Sequence, residues 1–560
     1  MGEVETMKYK RLCFAMLICT CMYASILEVP VEFGDIQSAV DSAAVGDTVL
    51  IHPGTYLIQD SIGIKSKNLV IGSLMLTTRK PAYLDKTILK GNGNNSIFCF
   101  WEGVDTSTII TGLTLTEAEN GIYCDNASPQ LDNLNVSKCH SGAGIFLHQS
   151  NPLIRWVRID YCQTGIYCWW YSKPRIENCT ILDNSRQGIL CNLYSPAEIS
   201  HCLIMRNGDS GIECSTYSDA QIHYVLVESN YDSGIFCSLS SPTIMNSIIR
   251  SNHGRCGAGI LIKWKSNPYL KDVVITRNQT SSWGAGVACM DTCNAIFDHV
   301  TIAQNISTGK KGGGIYLWKH ANPVLRNVTI TGNSTGEGGG IYISDYCYPV
   351  VVNTILWENY PDEICFNIAK NGAVISRSLV KDGQVIRKRY SSKSTFYWLD
   401  DNIEGEPGFT NEWGLDYSLM KSSACVDAGT PFFAWEGDTI INLSDDDFNG
   451  NAPDIGAIES AFVVGLDEEN PLPSEISLLQ NYPNPFNSQT NIRFELPQSA
   501  LVKLTILDLA GKELEILVNR PLSAGCYTFQ WDADRYSSGV YIYQITVNRM
   551  AFYRKCLLCK

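Results

Sequence analysis

The chain is built from short apolar stretches in which every second residue is polar, and these stretches return at a much longer interval along the sequence. A glycine followed by Ile or Val recurs at Gly121, Gly144, Gly165, Gly188, Gly211, Gly234, Gly259, Gly286, Gly314 and Gly340, at separations of 21 to 28 residues. Eight or nine residues later there is commonly a proline after a small residue, as in Ser128-Pro129, Asn151-Pro152, Ser195-Pro196, Ser241-Pro242, Asn267-Pro268 and Asn322-Pro323. A second alternating stretch follows, for example 176–181, 325–330 or 351–356, and closes on an asparagine: Asn184, Asn207, Asn230, Asn252, Asn278, Asn305, Asn333 or Asn359. The period of two predicts strands rather than helices, so one unit reads as strand, turn, strand, polar turn. Such a unit cannot bury its apolar face alone, and stacking copies does so. The architecture this predicts is a parallel β-helix, one unit per coil. Gly and Asn suit the bends because they tolerate positive φ, and Pro suits places where the chain leaves the ladder and no N–H is needed. A leucine-rich horseshoe lacks its leucine spacing here, and a propeller would need blades of about 40 residues. Ten clean units and a few irregular ones upstream, stacked at roughly 4.8 Å, predict a rod somewhat over 50 Å long.

The ends of the pattern differ from its middle. Residues 35–44 read as a short helix with Asp35 as N-cap and Ile36, Ala39, Val40 and Ala43 on one face, placed to cover the open end of the stack. Lys8, Lys10 and Arg11 precede an apolar run, Leu12 to Tyr23, that is too short to span a bilayer and ends at Ala24 and Ser25, the pattern of an export leader. No other segment has eighteen uninterrupted apolar residues, so no transmembrane segment is expected in the mature protein. Asp467 to Pro473 is a polar, two-proline spacer, and beyond it short alternating strands with Gly and Asn-Pro turns predict a small Ig-like β-sandwich. The expected fold class is therefore all-β, a right-handed parallel β-helix followed by a small sandwich. Its parts are a signal peptide over 1–25, the β-helix with its capping helix over 26–400, a closing segment over 401–460, a linker over 461–475 and the sandwich over 476–560.

Charge and cysteine content narrow the function. Lys plus Arg number 43 against 57 for Asp plus Glu, a net charge of −14 spread along the chain, which excludes a nucleic-acid partner that would need a basic stripe. The chain has 22 Cys, and in an exported protein that first suggests disulfides. Yet Cys124, Cys168, Cys191, Cys214 and Cys237 each fall three residues after a repeat glycine, on the face of the inward Ile, and Cys139, Cys179 and Cys202 sit similarly on the second stretch. They are expected as a buried ladder of free thiols. No compact Cys pair with matching His suggests zinc.

The opening, a short helix and then Gly46 to Tyr56 with its Gly-Asp strand ending in Pro-Gly-Thr-Tyr, resembles that of secreted pectate-lyase-like β-helix proteins. The segments 406–409, 416–419, 423–429 and 454–459 resemble the part that closes many bacterial surface β-helices. The last 85 or so residues resemble the C-terminal sorting domain of type IX secretion substrates, carried by 479–487, 490–497, 502–508 with Gly511-Lys512, Ala524-Gly525, Trp531-Asp532 and 538–543. A related sandwich occurs in flagellar-hook assembly proteins. The resemblance implies recognition by the outer-membrane export machinery as partner, and a place outside the cell or on its outer surface in a Gram-negative-type bacterium.

Candidate chemistry is sparse. Trp169 and Trp318 stand four residues after a repeat glycine, and Trp170 and Trp264 five, so these four are the carbohydrate-binding candidates: an outward aromatic row can stack on sugar rings, although single surface aromatics on long corners would look the same. Asp445, Asp447 and Asn449 before Gly450 have the spacing of a calcium loop, without the downstream Glu of a full one, so a plain acidic turn is the simpler expectation and calcium the candidate cofactor. Asp298-His299 resembles a stretch near the calcium site of pectate lyases, but both residues fill ordinary outward or corner positions of the repeat. The Asn-Thr-Asp, Gly-His-Gly and Arg-Ile-Lys signatures of the related polygalacturonases do not occur in the coils. Arg155, Arg158, Asp160, Arg175 and Glu177 could serve a lyase, and equally read as a solvated sheet face. No catalytic residue is assigned. The expectation is a non-catalytic glycan-binding or adhesive rod on the cell surface, with polysaccharide as partner; the alternative is a polysaccharide lyase or glycoside hydrolase acting on acidic polysaccharide.

Overall fold

A computed structural model describes residues 24–460 and 476–560, apart from 310, 368–369, 384–386, 389–393, 400, 413–414, 498–499, 510, 523–524 and 548–549. The signal peptide, but for its last two residues, and the linker lie outside the described residues.

Fourteen parallel strands, one per coil, form one wall of the rod, running from Ile62–Ile64 to Arg387–Lys388. A 24-stranded sheet forms the rest, in which each coil contributes either one long strand, such as Thr243–Arg250, or two short ones split by a left-handed residue, such as Arg175–Glu177 and Thr180–Leu182. Register follows the repeat: Ile166, Ile189, Ile212, Ile235 and Ile260 stack in line, as do Cys168, Cys191, Cys214 and Cys237. These side chains and Cys124 are fully buried, and the eighteen described cysteines are free thiols, all but Cys256 buried. The thiols act as small apolar side chains of the core, as their spacing predicts. At the open end the helix Ile36–Ser42 buries Ile36, Ala39 and Val40, and the Asp35 carboxylate accepts the Ser38 N–H at 2.9 Å.

Two of the marker residues work differently from expectation. The repeat glycines do not have positive φ; they are glycines because there is no room for a side chain. A Cβ on Gly211 would meet the Gly234 carbonyl oxygen of the next coil at 2.8 Å and Val227 Cγ1 at 2.5 Å. Gly211→Ala is therefore expected to destabilise the rod by about 1–3 kcal/mol through overpacking against backbone, visible as a lower denaturation midpoint. The asparagines do not take positive φ either, which falls to the residue before them (Asp183, Arg206, Ser229, Ser251, Arg277, Gln304, Glu358). Asn184 to Asn359 are buried instead and form an amide ladder, each Nδ2 donating to Oδ1 of the Asn in the next coil, as from Asn207 to Asn230 at 2.9 Å. A serine ladder runs along another edge, where Ser172 N–H donates to Ser195 Oγ at 3.1 Å and Ser195 N–H to Ser218 Oγ at 3.0 Å.

The asparagine ladder ends on Glu363, whose carboxyl accepts both the Asn359 N–H and its side-chain amide. Burial pushes Glu363 up to about 7. A carboxyl raised in the folded state favours folding while protonated, so this end of the rod should be firmest near pH 5 and loosen as the pH rises through about 7. Hydrogen exchange around 359–366 should show that loss between the two values, and Glu363→Gln should flatten it.

The segment after the last coil does not extend the stack. Its hairpins, Phe409–Asn411 with Asp416–Leu419 and Phe432–Trp435 with Asp438–Asn442, lie back along the outer flank of the long sheet, where Phe409, Tyr417, Leu419 and Ile455 cover Ala303, Ile355 and Leu379. Polar straps fix it: Arg326 donates to the Ile440 carbonyl at 2.8 Å, Asn353 exchanges hydrogen bonds with Thr430, and Ala457 N–H donates to Thr329 Oγ1. The C-terminal unit is a sandwich of one three-stranded and one four-stranded antiparallel sheet around Phe494, Ile492, Trp531 and Tyr543.

Candidate functional site

Each coil turns out of the 14-stranded wall through one or two residues with positive φ: Trp170 and Tyr171, Leu193 and Tyr194, Thr216 and Tyr217, Leu239, then Trp264 and Lys265. Backbone hydrogen bonds continue through this corner, from Tyr171 N–H to the Leu193 carbonyl and from Tyr194 N–H to the Thr216 carbonyl, so the bend is held in register from coil to coil. The serine ladder lies directly beneath and anchors it. In consequence the side chains at the bend are pushed outward in line. Trp170, Tyr171, Tyr194, Tyr217, Leu239 and Trp264 are each 37 to 56% exposed, a continuous large apolar strip over five coils and roughly 20 Å.

Tyr171, Tyr194 and Tyr217 stack at 5.3 Å between centroids and 9° and 16° between planes. Their faces are turned to one another, so the strip presents ring edges and phenol groups along its length and the indoles of Trp170 and Trp264 at its ends. Of the four sequence-predicted tryptophans, Trp170 and Trp264 belong to this strip. Trp169 is half-buried, packed on His148 at 5.1 Å and on Trp170 at 6.0 Å, and Trp318 is partly covered, with Lys319 Nζ 3.9 Å from its ring centroid. The structure thus brings Trp169 and Trp170 together and sets Trp264 four coils along the same corner. The tyrosines were missed by spacing tryptophans alone, although Tyr171-Ser172, Tyr194-Ser195 and Tyr217-Ser218 repeat every 23 residues.

The charged outer face of the long sheet is a ladder of ion pairs. Arg155 forms a two-pronged pair with Asp132 at 2.8 and 2.9 Å, Arg158 pairs with Asp160 at 2.7 Å, and Arg175 with Glu177 and Glu198 at 2.6 and 3.3 Å. Arg158 and Asp160 also line a cleft of about 210 Å³ with Asp85, Thr114, Asn135 and Ser137. Further along, the Asp298 carboxylate accepts Tyr269 Oη at 2.7 Å, Arg326 at 2.9 Å and the His299 ring at 2.8 Å. Burial works against the charge on Asp298, and the hydrogen bond and charge of His299, with Arg326, hold the carboxyl well below the usual range. All three donors converge on a group whose Arg326 partner straps the closing segment, so this cluster secures the flank.

Asp445, Asp447 and Asn449 lie in that segment. Asp447 Oδ2 accepts the Ser444 N–H and hydroxyl, and the Asn449 side chain donates to the Ser460 carbonyl, while its N–H is accepted by Glu459. Asp447 and Asn449 are thus held within the closing segment while Asp445 is exposed, and among the described residues no three His, Cys, Asp or Glu gather as a metal site.

The wall, corner and appended sandwich define a parallel β-helix protein with a C-terminal accessory domain. The right handed beta helix region family matches residues 99–243 and 233–397, together more than half of the 560-residue chain, and the chain belongs to that family. Residues 480–558 match the secretion system C-terminal sorting domain, which gives export through the type IX machinery and a secreted or cell-surface protein. Among the described residues no helix is long and apolar enough to cross a membrane. The search of curated proteins returned no match.

Similar solved structures include the A-module of a mannuronan C-5 epimerase from Azotobacter vinelandii, 14% identical with a TM-score of 0.41 over 66% of this chain and 94% of that one. A tailspike protein of an Acinetobacter baumannii bacteriophage, a capsular polysaccharide depolymerase, is 10% identical with a TM-score of 0.25 over 95% and 77%. An alginate lyase of family PL6 is 11% identical with a TM-score of 0.30 over 81% and 60%. These are likenesses of fold at low identity.

Proposed function

We propose that this is a surface rod of a bacterium with an outer membrane, exported with an N-terminal signal peptide, which holds a polysaccharide chain along its aromatic corner without cleaving it. The observation that carries this reading is the exposed corner, where Tyr171, Tyr194 and Tyr217 stack in register and Trp170 and Trp264 stand in the neighbouring column on the first and fifth coils. A sugar chain is a polymer with apolar ring faces and hydroxyl edges, and exposed indoles beside a row of phenol groups complement both. Lys263 and Lys265 flank Trp264, which adds attraction for an anionic chain.

Cleavage of an acidic polysaccharide is the second reading, favoured by Tyr269, Asp298, His299 and Arg326 in one hydrogen-bonded group. Affinity electrophoresis of the secreted protein through gels containing acidic or neutral polysaccharides tests the first, with new reducing ends and unsaturated products scored in parallel. Retardation by at least one polysaccharide without new ends is expected. A chelator should leave it unchanged, since Asp447 and Asn449 already bond Ser444, Glu459 and Ser460. Cleavage would overturn the non-catalytic reading, and no retardation by any polysaccharide would overturn the binding one.

A further inference from the structure

The outward row of the long sheet changes character partway along the rod. Where successive coils place Asn135, Arg158 and Thr180, the next four place Leu203, Leu226, Ile248 and Val274, and the row then returns to Thr301 and Thr329. Four apolar residues on an outer face need a cover, and Leu226 and Ile248 are 1 and 6% exposed. The cover is the end of the sorting sandwich: Leu557 and Cys559, themselves buried, pack on them, with Val540 alongside. Beside this contact stands Arg250, buried and held by Glu228 in a two-pronged ion pair at 2.9 and 3.2 Å. Its guanidinium donates to the main-chain carbonyl of Cys559 at 2.7 Å and to the main-chain oxygen of Lys560. Next to it, His201 and Tyr224 of the rod face Gln480, Tyr553, Arg554 and Lys555 of the sandwich across a cavity of about 380 Å³.

A buried arginine already neutralised by a glutamate, aimed at main-chain carbonyls at the edge of an apolar patch, is a specific receptor for a chain segment. We propose that Arg250, Glu228 and the row Leu203 to Val274 form a docking site for the final strand of this protein's own sorting domain, and that docking shields that strand from the export machinery once the coils have folded. The strand is then accessible while the coils carrying residues 203, 226, 248 and 274 are unstacked and covered once they stack, because the site exists only in the stacked rod.

The two cysteines of the strand give a direct test in the full-length protein. Cys559 is covered by the rod contact, whereas Cys556 lies inside the core of the sandwich. Maleimide labelling, resolved by mass spectrometry, should proceed slowly at both in the native protein. Arg250→Ala and Ile248→Glu should each speed labelling of Cys559 about tenfold while leaving Cys556 protected, the signature of local undocking. Burial pushes the Cys559 thiol up to about 12 and Arg250 opposes that rise, so losing Arg250 would by itself slow the reaction; acceleration has to come from exposure. Labelling is read as the ratio of Cys559 to Cys556, so a variant that merely loosens the sandwich raises both and leaves the ratio alone. An unchanged ratio in both variants overturns the proposal. Loss of Cys559 protection in the native protein on dilution would also overturn it, in favour of docking between two copies.

Discussion

Replacing Asn252 with Leu should cost the rod about 3–6 kcal/mol locally, the largest stability effect expected of any single substitution in the coils. Its side chain accepts the Asn230 N–H at 2.9 Å and the Asn230 side-chain amide at 3.0 Å, and it donates to the Val227 carbonyl at 3.2 Å and to Asn278 at 3.0 Å. Leucine matches the volume and removes all four bonds. It leaves the Asn230 N–H without its acceptor where no water reaches, at about 1–3 kcal/mol, and takes one bond each from the Val227 carbonyl and from the Asn230 and Asn278 amides, which keep the Ile204 carbonyl and the Asn252 N–H as partners. Because coils touch only their neighbours, the damage should be confined: hydrogen exchange should rise across roughly 204–280 and remain slow near the capping helix. Ser195→Ala, which removes one acceptor from the Ser172 N–H, should cost clearly less. A loss below about 1 kcal/mol for Asn252→Leu would show that the amide ladder is a passenger of the stack rather than one of its supports.

The second large effect concerns binding. Trp170→Ala, Tyr194→Ala and Trp264→Ala combined should abolish retention on polysaccharide, with each single change weakening it about tenfold and Tyr194→Ala acting partly by breaking the stack with Tyr171 and Tyr217. All three side chains leave the backbone at exposed corner positions, so the melting curve should move little. Trp318→Ala should leave retention near native, since Trp318 lies partly covered and outside the exposed corner. Equal losses from Trp318→Ala and Trp264→Ala would disconnect binding from the corner.

Much of this architecture is legible in the sequence because it repeats. The glycine period, the inward Ile and Cys positions and the capping helix after Asp35 all lie on short-range patterns, and each takes its expected place. What those marker residues do was not legible in the same way. Positive φ accounts for neither the repeat glycines nor the asparagines; both answer to the coil stacked on them, through the Gly234 carbonyl pressed on Gly211 and the amide ladder from Asn184 to Asn359. Such contacts join residues about 23 positions apart and leave no trace in the local pattern. The same holds for the flank: nothing near Arg326 in sequence announces the Ile440 carbonyl, and nothing near Arg250 announces Cys559. The aromatic corner was half legible. Its tryptophans stand out by rarity, whereas its three tyrosines are among 27 and become a ladder only once the corner is seen to align them.

The measurement that reaches the central claim most directly is oxidative footprinting of the full-length protein with and without a retained polysaccharide. The account predicts protection of Trp170, Tyr171, Tyr194, Tyr217 and Trp264 together, with Tyr161 and Tyr231, exposed elsewhere on the rod, unchanged. Protection centred instead on the cleft of Arg158 and Asp160, or on Tyr269 beside His299, with the corner unaffected, would contradict it.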